Sequence, residues 1–304
     1  MAPFLFYTVP FSGTLTCHGM HRPITRLIPA PQRDVQLTGL YLDHHLHNRG
    51  DSAQPFVYSN FITSLDGRIA LAGEHRQSHE VPPTITNLRD WRLYQELAGQ
   101  ADILITSGRY FRQSVIGEAQ DKLPVSAQPD YADIREWRAE QGLAAQPDIA
   151  IMSASLDIPA ESLAPYYKRK IYIFTGEQAN PERVHLLESK GVTVMQAGTG
   201  HQVEGKRMIG LLAAEGYRSI YAIAGPWVFH TLLEAQVVNR LYLTMACQLL
   251  GGSEYDTLLE GPLLSPASSM QPVGLYHDPH APTGGQILGI FEPVPPTPTD
   301  PGTA

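Results

Sequence analysis

The chain has 304 residues, 43% of them hydrophobic and 17% charged, with a formal net charge of −8. That supplies enough apolar material for one substantial core or two small ones and excludes fibrous and wholly disordered classes. The 22 Lys and Arg residues are scattered against 30 Asp and Glu, which argues against a nucleic-acid partner. Only Cys17 and Cys247 occur, which excludes a disulfide framework or a zinc knuckle and fits a reducing cytoplasm.

The opening MAPFLFYTVPFSGTLTCHG is apolar but has no Lys or Arg before Arg22 and is broken by prolines, so neither a secretion signal nor a membrane span is expected. One reading takes Met20 as the natural start. Residues 20–55 are punctuated by Pro, His and Gly around one apolar stretch, LTGLYL, and read as an arm laid over a domain. Within them His44 and His47 would share one side of a helical turn, but no third ligand stands near, so a solvated arm is expected and no metal. The organisation read is an arm over 1–54, one domain over 55–292 and a Pro/Thr tail over 293–304, which cannot bury enough apolar surface to order itself.

After Pro55 strands and helices alternate. FVYSNFI reads as a buried strand, and Asn87 caps a helix to Gly99 with Leu88, Trp91, Tyr94 and Leu97 on one face. DILITS (102–107) is a strand followed by a Pro- and Gln-rich loop holding the short helix YADIREWRAEQG. DIAIMS (148–153) and KIYIF (170–174) are strands, PERVHLLESKG a helix, VTVMQ a strand, and KRMIGLLAAEG a helix. SIYAIA (219–224), PWVFHTLLEA, and RLYLTMACQLL (240–250) follow as strand, helix and strand, and VGLYH and QILGIF close the chain as strands with no helix between them. This order predicts an α/β fold with a mostly parallel central sheet and antiparallel C-terminal edge strands.

In such a sheet ligands bind beyond the carboxyl ends of the strands. Three loops stand there: Thr63 to Arg68, Thr106 to Tyr110, and Ala224 to Trp227. In the last a strand turns directly into a helix, and Gly225 before Pro226 suits phosphate approaching free N–H groups. Gly198-Thr199-Gly200 lacks the third glycine of a dinucleotide fingerprint and reads as a decoy. No nucleophile elbow or paired-carboxylate motif suggests a hydrolase. Asp66 either holds the Gly67 turn through backbone N–H groups or orients and protonates a ligand. His75 and His79 flank the loop beyond it, and Trp91, Trp137 and Trp227 read as packing against the core or a cofactor.

Together SLDGRIA (64–70), ITN (85–87), ADILITSG (101–108), AGP (224–226) and VNRLYLTMACQLLGG (238–252) resemble, in this order over about residues 55–292, the RibD C-terminal domain. That is the reductase domain of riboflavin biosynthesis, with the dihydrofolate reductase-like three-layer fold. The resemblance implies a homodimeric, NADPH-dependent reductase of a small heterocyclic substrate, a phosphoribosylaminopyrimidine in the family at large. It implies that Ala224, Gly225, Pro226, Trp227, Val228, Phe229 and His230 hold the pyrophosphate and nicotinamide side. Thr106, Ser107, Gly108, Arg109, Tyr110, Ser114 and Ser153 would hold the adenosine half, with Arg109 near a 2′-phosphate. Ile62 and Thr84 complete the cofactor set, Asn60, Thr63, Ser64 and His79 face substrate, and Asp66 is the catalytic candidate.

The departures fall on the substrate side. Ile223 stands where the riboflavin reductases carry a glutamate, Ala98 where they carry an arginine, and Pro82 and Thr84 where they carry serine and tryptophan. No H-x-E with P-C-x-x-C marks a zinc deaminase partner. A reductase with a changed substrate is therefore expected. The rival readings are a catalytically silent NADPH-binding protein and a pterin or folate reductase, the latter weakened by the lack of an evident acid besides Asp66.

Overall fold

The computed structural model describes Met20 and residues 22–72, 79–119 and 122–294. Its strands and helices, in chain order, begin with β1 (Ile24–Ile28), β2 (Arg33–Val35), β3 (Phe56–Ser64), β4 (Ala70–Ala72), β5 (His79–Glu80), α1 (Leu88–Gly99), β6 (Ile103–Ser107) and α2 (Gly108–Val115). Then come α3 (Ala132–Glu140), β7 (Asp148–Met152), α4 (Ala160–Leu163), β8 (Ile171–Thr175), α5 (Pro181–Glu188), β9 (Thr193–Gln196) and α6 (Gly205–Ala214). The chain continues through β10 (Ser219–Ala222), α7 (Pro226–Glu234), β11 (Arg240–Ala246), β12 (Tyr255–Asp256), β13 (Met270–Asp278) and β14 (Gln286–Pro293).

Eleven strands form one sheet in the order β2-β1-β13-β14-β11-β3-β10-β6-β7-β8-β9. The seven from β11 to β9 are parallel, and β14, β13, β1 and β2 add antiparallel strands on one side. The α/β reading with antiparallel C-terminal strands therefore holds. Near-continuous burial along β6, β8 and β10 reflects cover on both faces, the usual condition of parallel strands. One core lies against α1, α2 and α3 and takes in Leu37, Tyr41 and Leu46 of the early segment, while the other lies against α6 and α7. No helix among the described residues is long and apolar enough to cross a membrane.

Several local expectations change. The segment read as an arm contributes β1 and β2 to the sheet, so β13 is not its edge. The stretch after Ser107 is the helix α2, starting with no intervening loop. β11 stops at Ala246 and lies between β3 and β14 in the sheet. Gly99 ends α1 through a close approach and not a left-handed cap: a Cβ there would lie 2.6 Å from Ile134 Cγ2.

The buried face of α1 is also more polar than its apolar spacing suggested. Arg89, Arg92, Gln95, Glu96 and Gln100 are 0–3% exposed, because the helix is covered by the early segment on one side and the antiparallel strands on another. Glu96 accepts the N–H groups of Gly39 (2.6 Å) and Tyr41 (3.0 Å), and Gln100 binds Leu46 N and Tyr41 O. Arg89 pairs with Asp278 on β13 at 2.7 Å, and Gln286 on β14 bridges Asp278 to the cap residue Asn87. Breaking such a pair strands a buried charge. Asp278→Ala is expected to destabilise the protein by about 3–5 kcal/mol in urea unfolding; a change below about 1 kcal/mol would show that α1 is not anchored this way.

Candidate active site

Parallel pairing puts the ends of β3, β10, β6 and β7, neighbours in the sheet, at one edge. Helices start there directly after β6 and close behind β10. At α2 the Ser107 hydroxyl makes no capping bond, and Arg109 is exposed with no partner among the described residues. Gly108 is required by packing, since a Cβ would stand 3.0 Å from Ser153 Oγ at the end of β7. Thr106 is buried, Ser114 is spent on the Phe111 carbonyl, and the Tyr110 hydroxyl meets that of Tyr166 at 2.8 Å. Ser153 is buried and its Oγ accepts the Leu156 N–H at 3.1 Å, so of the adenosine-side candidates Ser107 and Arg109 remain open at the edge.

At α7, Gly225 is the N-cap at φ −69°, a conformation open to any residue, and a Cβ on it would meet nothing within 4 Å. Neither backbone nor packing calls for glycine, so the bare backbone leaves room for a ligand beside Ala224, Pro226 and the Trp227 N–H, while the Val228 and Phe229 N–H groups donate to Gly225 O. The expectation for the rest of α7 is corrected. Val228, Phe229 and His230 turn into the core, where Phe229 packs on Phe61 at 5.0 Å and His230 Nε2 lies 2.6 Å from Pro262 O. Trp227 instead is 57% exposed.

Asp66 is engaged on both oxygens. Ser64 Oγ donates to Oδ1, Gly251 N donates to Oδ2 at 2.8 Å, Leu250 N reaches both at 3.2 Å, and Arg68 forms an ion pair at 2.8 Å. The Ser64 hydroxyl and the Gly251 amide hold its carboxyl down to about 2. Of the two roles read for Asp66, the geometry matches the turn-holding one: a permanently ionised clamp joining the loop after β3 to the loop after β11. Thr63 and Ser64 bond within the same turn, and His79 Nδ1 pairs with Asp256 at 2.6 Å across the small sheet β12-β4-β5. Thr84 is exposed and gives its carbonyl to Gln248. His75 lies outside the described residues. His44 and His47 diverge, His44 to the Tyr242 hydroxyl and His47 to the Trp137 ring edge.

Between the start of α1 and the sheet, burial falls off along the strands. Tyr58, Tyr221 and Tyr242 on the α1 face are at most 1% exposed, whereas Asn60, Ile62 and Ile223, further along the same strands, are only half-buried, as are Trp91 and Tyr94 on α1. Asn60 accepts the Tyr221 hydroxyl at 2.5 Å. Asp90 in the first turn of α1, which the sequence reading passed over, accepts from Thr244 Oγ1 at 2.6 Å, and Thr244 is the register neighbour of Ile62. Burial pushes the Asp90 carboxyl up to about 6 against the pull of Thr244. A second group missed in the sequence lines an open groove of about 830 Å³ past β7, β8 and β9, with Ser155, Gln178, Arg183 and His201 among its walls. Its place after successive parallel strands was the available signal.

A profile of the RibD C-terminal domain matches residues 55–279. The chain belongs to that family. No curated protein sequence matches it. Among solved structures it is similar to a pyrimidine reductase-like protein from Corynebacterium diphtheriae, with 21% identity, TM-score 0.60, and coverage of 79% of this chain and 92% of that one. It is also similar to RibD of Acinetobacter baumannii (14%, TM-score 0.55, 80% and 58%) and to the riboflavin biosynthesis reductase of Saccharomyces cerevisiae (15%, 0.52, 84% and 99%). At these identities the likeness is one of fold.

Two predictions follow from the acids of this RibD-type domain. Asp90 moves from an ordinary 3.8 to about 6 on folding, so the folded state binds its proton more tightly. Its contribution is therefore full below about pH 4 and is lost as pH rises through about 6. Asp90→Asn, which cannot ionise, is expected to gain about 1–3 kcal/mol relative to wild type at neutral pH and little at pH ~4, read by urea unfolding at both; an equal change at the two pH values would contradict the shift. Asp66→Asn should speed amide hydrogen exchange at Leu250 and Gly251 by about tenfold or more while leaving β6 and β7 protected. Unchanged exchange there would remove the clamp.

Proposed function

We propose that the chain is an NADPH-dependent reductase of a small heterocycle, related to the riboflavin-pathway pyrimidine reductases but with a changed substrate. The observation that carries this is the pair of helix starts on the neighbouring strands β6 and β10, one with a free hydroxyl and an unpartnered arginine, the other with a glycine whose missing side chain nothing in the protein requires. These features suit a phosphorylated dinucleotide: two anion-binding helix ends and a bidentate donor for a 2′-phosphate. The Gly225-Pro226 turn with the Trp227 amide would hold the pyrophosphate, and Ser107 and Arg109 the adenosine side, with Ser153 behind Gly108, next to the groove past β7. Bound NADPH would supply hydride to an electron-poor carbon of the substrate.

The chain's own contribution is positional. Asp66 fixes the height of the loop beside Ile62, Asn60 and Tyr221 brace the cleft floor, and Phe229 under Phe61 sets α7 against β3. A phosphorylated substrate finds neither of the contacts expected for it: Ile223 is apolar, and Ala98 is sealed inside α1. Losing those polar contacts is enough to change what binds. Asp90 favours a second reading, a pterin or folate type of reductase, because it supplies the acid that the sequence lacked. A cytoplasmic homodimer belongs to the same proposal through the family.

Fluorescence titration tests the cofactor assignment. Wild type is expected to bind NADPH at least about tenfold more tightly than NADH, and Arg109→Ala to lose most of that preference, a bidentate charge-assisted contact being worth about 1.5–3 kcal/mol. Absence of NADPH binding would sink the reading.

A further inference from the structure

Six oxidisable rings form an unbroken file through the core under α1. Trp91 stacks on Tyr94 at 4.8 Å, Tyr94 meets Tyr221 of β10 at 6.0 Å, and Tyr221 stacks on Tyr58 of β3 at 4.9 Å. Tyr58 then meets Tyr242 of β11 at 6.4 Å, and Tyr242 meets Tyr41 of the early segment at 4.6 Å. The file starts at half-buried Trp91, and its central phenols, Tyr221, Tyr58 and Tyr242, are at most 1% exposed. It ends beside His44, which is half-buried and reaches the surface. The hydroxyls along it differ in what they face. Tyr58 donates to the Leu97 carbonyl and Tyr221 to the Asn60 amide oxygen, neither of which takes up a proton, and the Tyr41 hydroxyl has no hydrogen-bond partner among the described residues. Of these hydroxyls and that of Tyr242, only the last meets a base: its oxygen lies 2.8 Å from His44 Nδ1.

The direction of that bond follows from its neighbour. Arg240 Nη1, which can only donate, gives a hydrogen bond to the same phenol oxygen at 3.2 Å, so Tyr242 donates its single proton to His44. His44 therefore carries its hydrogen on Nε2 and keeps Nδ1 bare, the neutral form that burial enforces by holding its pKa down to about 3. A buried phenol is hard to oxidise because its radical cation must lose a proton at once, and a bare ring nitrogen at hydrogen-bond distance removes that obstacle. The radical cation is so strong an acid that even this weakened imidazole accepts its proton. We propose that the file is a one-electron path and that Tyr242 with His44 is its redox-active end, where oxidising equivalents that arrive at Trp91 come to rest. The oxidant is a hydroxyl- or peroxyl-type radical, which takes one electron from Trp91 and is itself reduced to the anion. Tyr242 supplies the replacement electron through Tyr58, Tyr221 and Tyr94. Its O–H bond breaks as the proton moves to His44 Nδ1, leaving a neutral tyrosyl radical and an imidazolium. A small thiolate at the surface returns the electron, becoming a thiyl radical, and the proton goes back to the phenol oxygen. The path draws oxidative damage away from the half-buried end at Asn60, Ile62 and Ile223, whatever ligand that end takes.

The test is photo-oxidation of the full chain by a flash-quenched ruthenium(III) trisbipyridyl complex, with the radical trapped by freezing and read by electron paramagnetic resonance. All samples carry Tyr167→Phe and Tyr255→Phe, which remove the exposed phenols among the described residues. This parent chain is expected to give a hydrogen-bonded neutral tyrosyl signal that forms more slowly in deuterium oxide, because the proton moves with the electron. Adding Tyr242→Phe should remove that signal and leave a tryptophan radical in its place. His44→Gln, which keeps a polar side chain but offers no base, should lower the yield by about tenfold or more. Tyr58→Phe, which interrupts the file and leaves its end intact, should lower it several-fold. Urea unfolding checks that each variant is folded. An equal tyrosyl signal with and without Tyr242, or one unchanged in His44→Gln, overturns the proposal. So does a parent chain whose radical stays on tryptophan or forms at the same rate in deuterium oxide, a result that needs no further variant.

Discussion

The structure depends on a single helix with an unusual interior. α1 buries Arg89, Arg92, Gln95, Glu96 and Gln100 almost completely, and between them they reach four elements: β13, α3, the loop before it, and the early segment. Buried charges of this kind are costly unless every partner is in place, so the helix is determined in rotation and height by four other parts of the fold. Its first turn is thereby held against β11, where the Thr244 hydroxyl donates to Asp90 at 2.6 Å. A helix packed by apolar residues alone would tolerate small slides that this one does not.

The second constraint is parallelism. Because β3, β6, β7 and β10 all finish at one edge, residues 64, 108, 153 and 225 come together from four chain segments with no local sequence relation. Each meets the edge under different local rules. Gly108 is small because Ser153 is close, and Gly225 is small although nothing is close. In the Gly198 and Gly200 pair a Cβ on Gly198 would lie 2.0 Å from Gln202 O, while one on Gly200 would meet nothing within 4 Å. Glycine count alone does not separate these cases; what surrounds the missing Cβ does.

What was readable in the sequence follows from range. The alternation of strand and helix, the Asn87 cap, the Gly225-Pro226 start and the turn at Asp66 are all set by residues within a few positions of one another, and each was found. The pairing of β1 with β13 was not, because a five-residue strand inside a Pro-rich segment has no local signature once its partner lies some 250 residues away. Asp90 was missed for a related reason. An acid in the first turn of a helix is the commonest of stabilising choices, and only the contact with Thr244, 154 residues on, sets it apart. The side chains of Phe229 and His230 were misassigned because a helix start fixes backbone donors but not which face the next turn shows to the core.

The two acids near the cleft show how one scaffold separates structure from chemistry. Asp66 has a hydroxyl, two amides and a guanidinium, and its carboxyl falls to about 2; Asp90 has one hydroxyl and a crowd of apolar rings, and its carboxyl rises to about 6. Every donor given to Asp66 tightens the loop and makes its proton less useful, while every donor withheld from Asp90 costs stability and leaves a group able to answer a ligand. A carboxylate that merely filled a gap would have been given partners, as Asp278 and Glu96 were. The fold surrounds α1 with satisfied ion pairs, while the acid in its first turn is held by the Thr244 hydroxyl alone and its carboxyl rises.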